Sequence, residues 1–289
     1  MILYKYLSPE NALRVIGSRK LRFTPPSQLN DPFELRPQYE SLNDAPEVQS
    51  QLTDENLRMV MREEINKQLD QMPVELFQFI PKESFQKFFA EATPITKQLA
   101  PELFGGITDV FKESLYTNLD RLVGILCLSE KNNVALMWAH YAHSHRGVVL
   151  GFDSTSPYFE RRLHANDDFR HLEKVSYKQI PSVQIVNIED GREILYTKNV
   201  EWEYENEWRM VVPLENADQV INANDADIHL FEYPPDGLQE VILGCRVSDA
   251  YRGEILTVLA EKSDLHHVRK FTTEIDEHDR TIRIIEVED

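Results

Sequence analysis

The chain has 289 residues, 42% of them hydrophobic and 28% charged, and a formal net charge of −18. That length and balance describe a globular chain that can bury a full core, as one large domain or two small ones. The charge argues against general nucleic-acid binding and against an anionic membrane surface, since phosphate contacts need basic residues, but it leaves room for a small positive pocket. No signal-like segment opens the sequence and no apolar run reaches the length of a membrane span, so no membrane partner is expected. Cys127 and Cys245 sit in apolar, strand-like runs without a CxxC. They read as small buried hydrophobes in a reducing, cytoplasmic setting rather than as a disulfide framework.

Ile2 to Tyr6 alternates like a strand. Ser8 then caps a helix with Pro9 at its first position and Glu10 in its first turn, and Gly17 marks its end. Lys20 to Phe23 is a second strand, stopped by Pro25-Pro26. A polar loop follows and closes on Asn30-Asp31-Pro32-Phe33-Glu34. From about Asp54 to Leu122 apolar residues recur at helical spacing (Leu57, Val60, Met61, Ile65, Leu69), which predicts a helical insertion. Strand patterns return at Gly124 to Leu128, Gly147 to Phe152, Val175 to Tyr177, Glu207 to Val212, His229 to Phe231, Glu240 to Leu243, His267 to Phe271 and Ile282 to Val287. Helices are predicted over Val134 to Ala142 and from a Ser248 cap to about Lys262. Short strands with few intervening helices predict one α+β domain over residues 1–289, with a central mixed or antiparallel sheet, flanking helices and the insertion at 54–122.

The densest chemistry lies in Trp202-Glu203-Tyr204-Glu205-Asn206-Glu207-Trp208-Arg209, followed at once by apolar Met210, Val211 and Val212. If the strand begins at Glu207, then Glu207, Arg209 and Val211 share one face and Trp208, Met210 and Val212 the other. Extending it back to Glu201 would align four like charges, so the segment up to Asn206 reads as a turn. A carboxylate on a rigid strand beside flat aromatics can stabilise a developing positive charge and stack a planar ligand; an edge strand with a Glu207–Arg209 pair and two anchoring indoles is the competing reading.

In the Asn30 to Glu34 loop, Asn30 and Pro32 read as turn formers, Asp31 and Glu34 as freer to face a site, and Phe33 as a core anchor. His140 and His143, three apart on a helix, could share a face with His145 or Asp153 as a third ligand, but this spacing fits no established zinc helix, and no metal is expected. His145-Arg146-Gly147 is the best local basic spot, for a phosphate or for a turn. The sequence contains no G-x-S-x-G, Walker loop, G-x-G-x-x-G or H-E-x-x-H.

Several of these strings, in order, resemble the bacterial family called domain of unknown function 2971. They are Leu3-Tyr4-Lys5-Tyr6, Leu21 to Pro26, Leu29 to Glu34, Cys127-Leu128-Ser129, Met137 to Ala142, His145 to Asp153, Val175-Ser176-Tyr177, Lys198 and Trp202 to Arg209. A more distant layout resembles the NAD-dependent ADP-ribosyltransferases, especially the toxin class that modifies DNA. A short first strand, a helix, a second strand and a late-strand Glu followed by apolar residues occupy the corresponding places, with Lys5 or Tyr6, Phe23-Thr24 and Glu207 at the key points. The first strand here lacks a clearly placed His or Arg, and the second lacks a Ser-Thr-Ser triplet.

That resemblance implies an ADP-ribosyltransferase-like fold, with NAD as the cofactor and an unidentified acceptor macromolecule. Glu207 would stabilise an oxocarbenium-like state as nicotinamide leaves, and Glu205 would orient the acceptor or act as its base. Tyr6 or Trp208 would stack the nicotinamide, while Lys5 and Arg146 would meet the pyrophosphate. Asn30, Asp31, His140, Tyr141 and Arg209 are expected to converge on the same site. A non-catalytic ligand- or protein-binding module and a metal-dependent nuclease using Asp31, Glu34, Glu205 and Glu207 are the alternatives.

Overall fold

The computed structural model describes residues 1–35, 39–40, 66–67, 113–165, 167, 169–179, 183–184, 191–223 and 227–287. The expected insertion lies outside the described residues except for 66–67 and 113–122, which are helical.

Strand β1 is Ile2–Leu7. Helix α1, Pro9–Ser18, follows the Ser8 cap, whose side chain accepts from the Asn11 N–H at 3.3 Å. Its end lies at Arg19, not at Gly17: Arg19 adopts φ 55° and donates its N–H to Val15 O. Replacing Ser8 by Ala leaves an N-terminal amide of α1 unpaired; we expect a loss of about 1 kcal/mol in urea unfolding. β2 is Lys20–Phe23, and β3, Tyr39–Glu40, is a two-residue strand. β4 (Val123–Ser129), helix α2 (Ala135–Tyr141) and β5 (Val148–Asp153) follow.

The single strand expected near Val175 is two, β6 (Leu172–Lys174) and β7 (Ser176–Lys178). Val175 separates them and donates its N–H to Glu207 O. Next come β8 (Val183–Gln184), helix α3 (Gly191–Tyr196) and β9 (Thr197–Asn199). β10, Glu207–Pro213, begins where the charge argument placed it; a 3-10 turn, Val200–Glu205, precedes it. The chain closes with β11 (Gln219–Ile221), β12 (Ile228–Glu232), β13 (Leu238–Leu243), helix α4 (Asp249–Glu261), β14 (Arg269–Asp276) and β15 (Thr281–Glu286).

The fold is α+β around a mixed eight-stranded sheet of order β15-β14-β13-β5-β1-β4-β10-β6, in which β13 and β14 run parallel and the other pairs antiparallel. Three short strands, β11-β12-β2, make a second sheet, and β3-β8 and β7-β9 are short parallel pairs. One face of the main sheet carries Leu3, Leu126, Leu150, Met210 and Val241 against α1 and α4. The other face holds two separate apolar patches. One gathers Val123, Ile125, Val211, Phe169 and Leu195; the other packs Met137 and Trp138 of α2 on Tyr6, Val149, Ile242 and Ile282. Charged residues occupy the ground between them.

A seam runs through this sheet. β5 pairs with all six residues of β1, and β10 with all seven of β4, but β1 and β4 meet at one position, Tyr4 opposite Ser129. Past that point they diverge, and the end of β2 reaches β4 from the side, Thr24 bridging Ile125.

Candidate functional site

The seam opens into a cavity of about 180 Å³. Tyr4, Lys5 and Tyr6 of β1 line it, with Thr24 after β2, Cys127 and Ser129 of β4, and Met137 and Tyr141 of α2. Gln28, Asn30, Glu34, Lys198, Glu205 and Glu207 complete the polar lining. Lys5 bridges the parted strands, its ammonium donating to Cys127 O at 3.0 Å.

The local fold explains why two carboxylates meet here. The 3-10 turn presents Glu205, and Asn206 then reverses the backbone at φ 44°, a left-handed position that Asn tolerates better than most residues. The Asn206 N–H donates to Glu203 O at 3.1 Å, and its side-chain amide donates to the carbonyls of Glu203 and Tyr204. The Ser129 hydroxyl donates to Glu205 O at 2.5 Å, tying the turn to β4. Glu207 then starts β10 on the cavity face, its N–H donating to the Tyr177 hydroxyl at 2.8 Å.

Five charges form one buried network. The Lys198 ammonium lies 2.6 Å from Glu205, 2.9 Å from Glu207 and 3.6 Å from Glu34. Arg209, 0% exposed, donates Nε to Glu207 at 2.7 Å and Nη2 at 3.1 Å, pairs with Glu34, and gives Nη1 to Leu195 O at 2.7 Å. The Tyr141 hydroxyl donates to Glu205 at 2.5 Å, and the Trp202 ring lies 5.0 Å from the Lys198 ammonium.

Burial shapes the protonation of this cluster. It raises the Glu207 carboxyl, against the pull of Lys198. It draws the Lys198 ammonium down, but Glu207 and Glu205 more than reverse this and leave it above its ordinary value. Burial pushes the Arg209 guanidinium down to about 9, with Asp31 opposing, so it remains charged at neutral pH. Burial and then the Glu205 charge raise the Tyr141 phenol, which stays a donor.

Cys127 lines the cavity floor, its thiol raised well above the usual range by burial and by Glu207. Cys245 was expected to be buried, but it follows Gly244 in the turn after β13 and is exposed. Only the thiolate reacts with thiol reagents. Native protein should therefore label rapidly at Cys245 and slowly at Cys127, and both should label rapidly in denaturant; two fast equivalents in the native protein would contradict this.

Of the residues expected to converge, Lys5, Tyr6, Asn30, Tyr141, Glu205 and Glu207 line the cavity, and Arg209 stands directly behind Glu207. Asp31 is buried but has become the turn former, its carboxylate accepting from the Phe33 N–H at 2.9 Å. That turn sends Glu34 inward and Phe33 outward; Phe33, expected in the core, is 73% exposed.

His140, Arg146 and Trp208 lie outside the lining. α2 turns Met137 and Tyr141, four apart, toward the cavity, which leaves His140 on its exposed side. Arg146 is exposed in the turn after α2. Trp208 projects from the other face of β10 and donates its indole N–H to Glu130 at 2.9 Å, so it cannot stack a ligand here. Lys198 went unread as a site residue, as did Tyr4, Tyr177 and Ser129. Lys198 is one lysine in a three-residue strand, and only the pairing of Tyr177 with Lys198 between β7 and β9 brings both to Glu207.

The fold and the cavity define an α+β protein with a buried charge cluster at a seam of its main sheet. Residues 137–210 match the family model described as Protein of unknown function (DUF2971). The matched stretch carries Tyr141, Lys198, Glu205, Glu207 and Arg209, five of the residues in or against the cavity. No curated protein and no solved structure matches the chain, so comparison lends the ADP-ribosyltransferase resemblance no support.

Proposed function

We propose that the cavity binds the nicotinamide end of NAD and that the protein cleaves the bond between nicotinamide and ribose. One observation carries this reading: residues from β1 (Lys5, Tyr6), from the end of β2 (Thr24) and from the start of β10 (Glu207), far apart in sequence, line one cavity. The size fits part of such a ligand. Pockets for drug-sized ligands run to roughly 300–1,000 Å³, so about 180 Å³ suits one ring and its sugar, with the rest of a dinucleotide outside.

The charges at the site are closely matched. With Glu34, Glu205 and Glu207 ionised, three carboxylates face the cations Lys198 and Arg209, and Lys5 brings a third cation to the cavity lining. As the bond breaks, its electron pair leaves with nicotinamide and positive charge develops on the ribose. Glu207, fixed by Arg209 and Lys198, stabilises that charge without having to reorganise. The acceptor hydroxyl, or water, then adds to the ribose carbon and passes its proton to Glu205.

The test is nicotinamide release from NAD, with DNA, RNA and protein extracts offered in turn as acceptors. Release under at least one condition is the expected result. No release under any, together with no NAD binding by calorimetry, would sink the enzyme reading. One observation favours the non-catalytic binding module instead: both Glu207 oxygens already accept from Arg209. The nuclease reading loses ground because the Lys198 ammonium fills the space among Glu34, Glu205 and Glu207 that a metal ion would need.

A further inference from the structure

The second step of the proposed reaction takes a proton from the acceptor, and Glu205 is poorly placed to meet that acceptor itself. Its side chain is buried, and each carboxylate oxygen already holds a donor: Oε2 accepts from the Lys198 ammonium at 2.6 Å, and Oε1 from the Tyr141 hydroxyl at 2.5 Å. Lys198 is as deeply buried as Glu205 and is tied to Glu207 and Glu34 as well. Tyr141 is only half-buried. It closes α2 next to the exposed His140 and lines the cavity, so of these two partners it is the one that an incoming group meets first.

The hydroxyl of Tyr141 is held from two sides. Its proton points to Glu205, and the Asn30 side chain, exposed in the loop after β2, hydrogen-bonds the same hydroxyl. A hydroxyl has one proton to give and two lone pairs that accept, so a second lone pair is left for an incoming O–H. Burial first, and then the Glu205 charge, hold the phenol well above its usual value, with the Asn30 bond opposing them. A phenol held so high does not serve as a base on its own. It can still pass a proton along, because its oxygen takes one as it gives up its own and no phenolate forms.

We propose that Tyr141 is a catalytic residue that carries the acceptor's proton to Glu205, and that Asn30 is a positioning residue that holds its hydroxyl. The proposal rests on the NAD-cleaving reading and concerns its second step alone. A lone pair of the acceptor oxygen makes the new bond to the ribose carbon. The acceptor O–H bond breaks, its electrons stay on that oxygen, and the proton passes to Tyr141 Oη. The Tyr141 O–H bond breaks in the same step and its proton passes to Glu205 Oε1. The tyrosine ends as it began, and Glu205 ends neutral until the proton leaves with the product.

The test separates nucleophiles that must shed a proton from those that have none. Water and hydroxyl acceptors must shed one; azide and 3-acetylpyridine attack through a lone pair with no proton to lose. The full chain is assayed for nicotinamide release from NAD and for the product formed with each nucleophile. Tyr141→Phe keeps the ring and removes the hydroxyl. Its rate with water or a hydroxyl acceptor should fall about a hundredfold, the lower end of what general acid–base catalysis contributes. Azide or 3-acetylpyridine should return nicotinamide release to near the wild-type rate, which also shows that the variant is folded with Glu207 in place. Asn30→Ala, a change at an exposed position, should show the same selective loss to a smaller degree.

No loss with water or a hydroxyl acceptor in Tyr141→Phe overturns the proposal. So does a loss, in either variant, that neither azide nor 3-acetylpyridine relieves, since Tyr141 would then be placing NAD or supporting the fold. Both outcomes leave the NAD reading standing. If the wild type releases no nicotinamide with any nucleophile, that reading falls and the proposal falls with it.

Discussion

Replacing Arg209 by Met should cost the protein about 3–5 kcal/mol at neutral pH, the range found when one partner of a buried ion pair is removed. Methionine fills much the same space and is apolar, so the loss comes from the groups left behind. Glu207 loses two donors, Glu34 loses its close partner, and the Leu195 carbonyl loses its N–H. Lys198 alone must then serve three carboxylates.

The pH dependence separates this cause from ordinary repacking. A carboxylate stranded in the interior has its folded pKa raised above its unfolded value of about 4.3. The cost of burying it charged is then full above the folded pKa, shrinks as pH falls through it, and is gone below the unfolded value. Burial already raises Glu207 in the wild type, and the variant should go further in the same direction. The gap between wild type and Arg209→Met in urea unfolding should therefore be widest near pH 7 and narrow toward pH 4. A gap below about 1 kcal/mol at pH 7 would show that the network adds little to stability, and a larger gap that does not change with pH would assign the loss to repacking rather than to a stranded carboxylate.

Glu207→Gln carries the second large effect, this time on turnover. The amide keeps the shape of the side chain, and its one oxygen can still accept from Arg209 Nη2 and Lys198, but its NH2 then faces Arg209 Nε, donor against donor, and the negative charge on the cavity side of β10 is gone. Losing one such electrostatic contact slows a reaction by roughly a hundredfold or more. Nicotinamide release should fall by that order while NAD affinity, set mainly by the rings and by groups outside the cluster, changes little. An equal fall in affinity and turnover would make Glu207 a binding residue. A variant as active as wild type would move the chemistry to Glu205 or away from this cavity.

Much of the fold was legible because alternation along single strands was clean. β2 was read to the residue, and β10 one residue short of its Pro213 end, since the run of like charges before Glu207 could not have continued the strand. Elements of two or three residues carry too little pattern to read, which is why β9, β11 and the break at Val175 went unseen.

The site was legible in part for a similar reason. Glu205 and Glu207 stand out as charges fastened to an apolar strand, and Tyr141 and Asn30 belong to distinctive strings. The division of labour within a string was not visible. In Asn30 to Glu34 the turn-making role went to Asp31 and the inward-facing role to Glu34, a choice set by which carboxylate could reach Arg209. The pairing of α2 and β10 residues with the wrong faces had the same origin: Trp208 and His140 are next to site residues in sequence and therefore point away from them. Lys198, which holds the cluster together, stood out only through the family resemblance, with no spacing or periodicity to mark it as a site residue.

The single meeting point of β1 and β4 has a mechanical consequence. The main sheet is two rafts, β15-β14-β13-β5-β1 and β4-β10-β6, each laced internally by backbone hydrogen bonds and joined to the other mostly through side chains. A small rotation of one raft against the other would change the gap between Tyr4 and Glu207 without breaking a ladder inside either. Amide hydrogens facing the seam should exchange with solvent faster than their neighbours two residues along, and a molecule bound across the gap, touching both rafts, would slow that exchange on both sides at once.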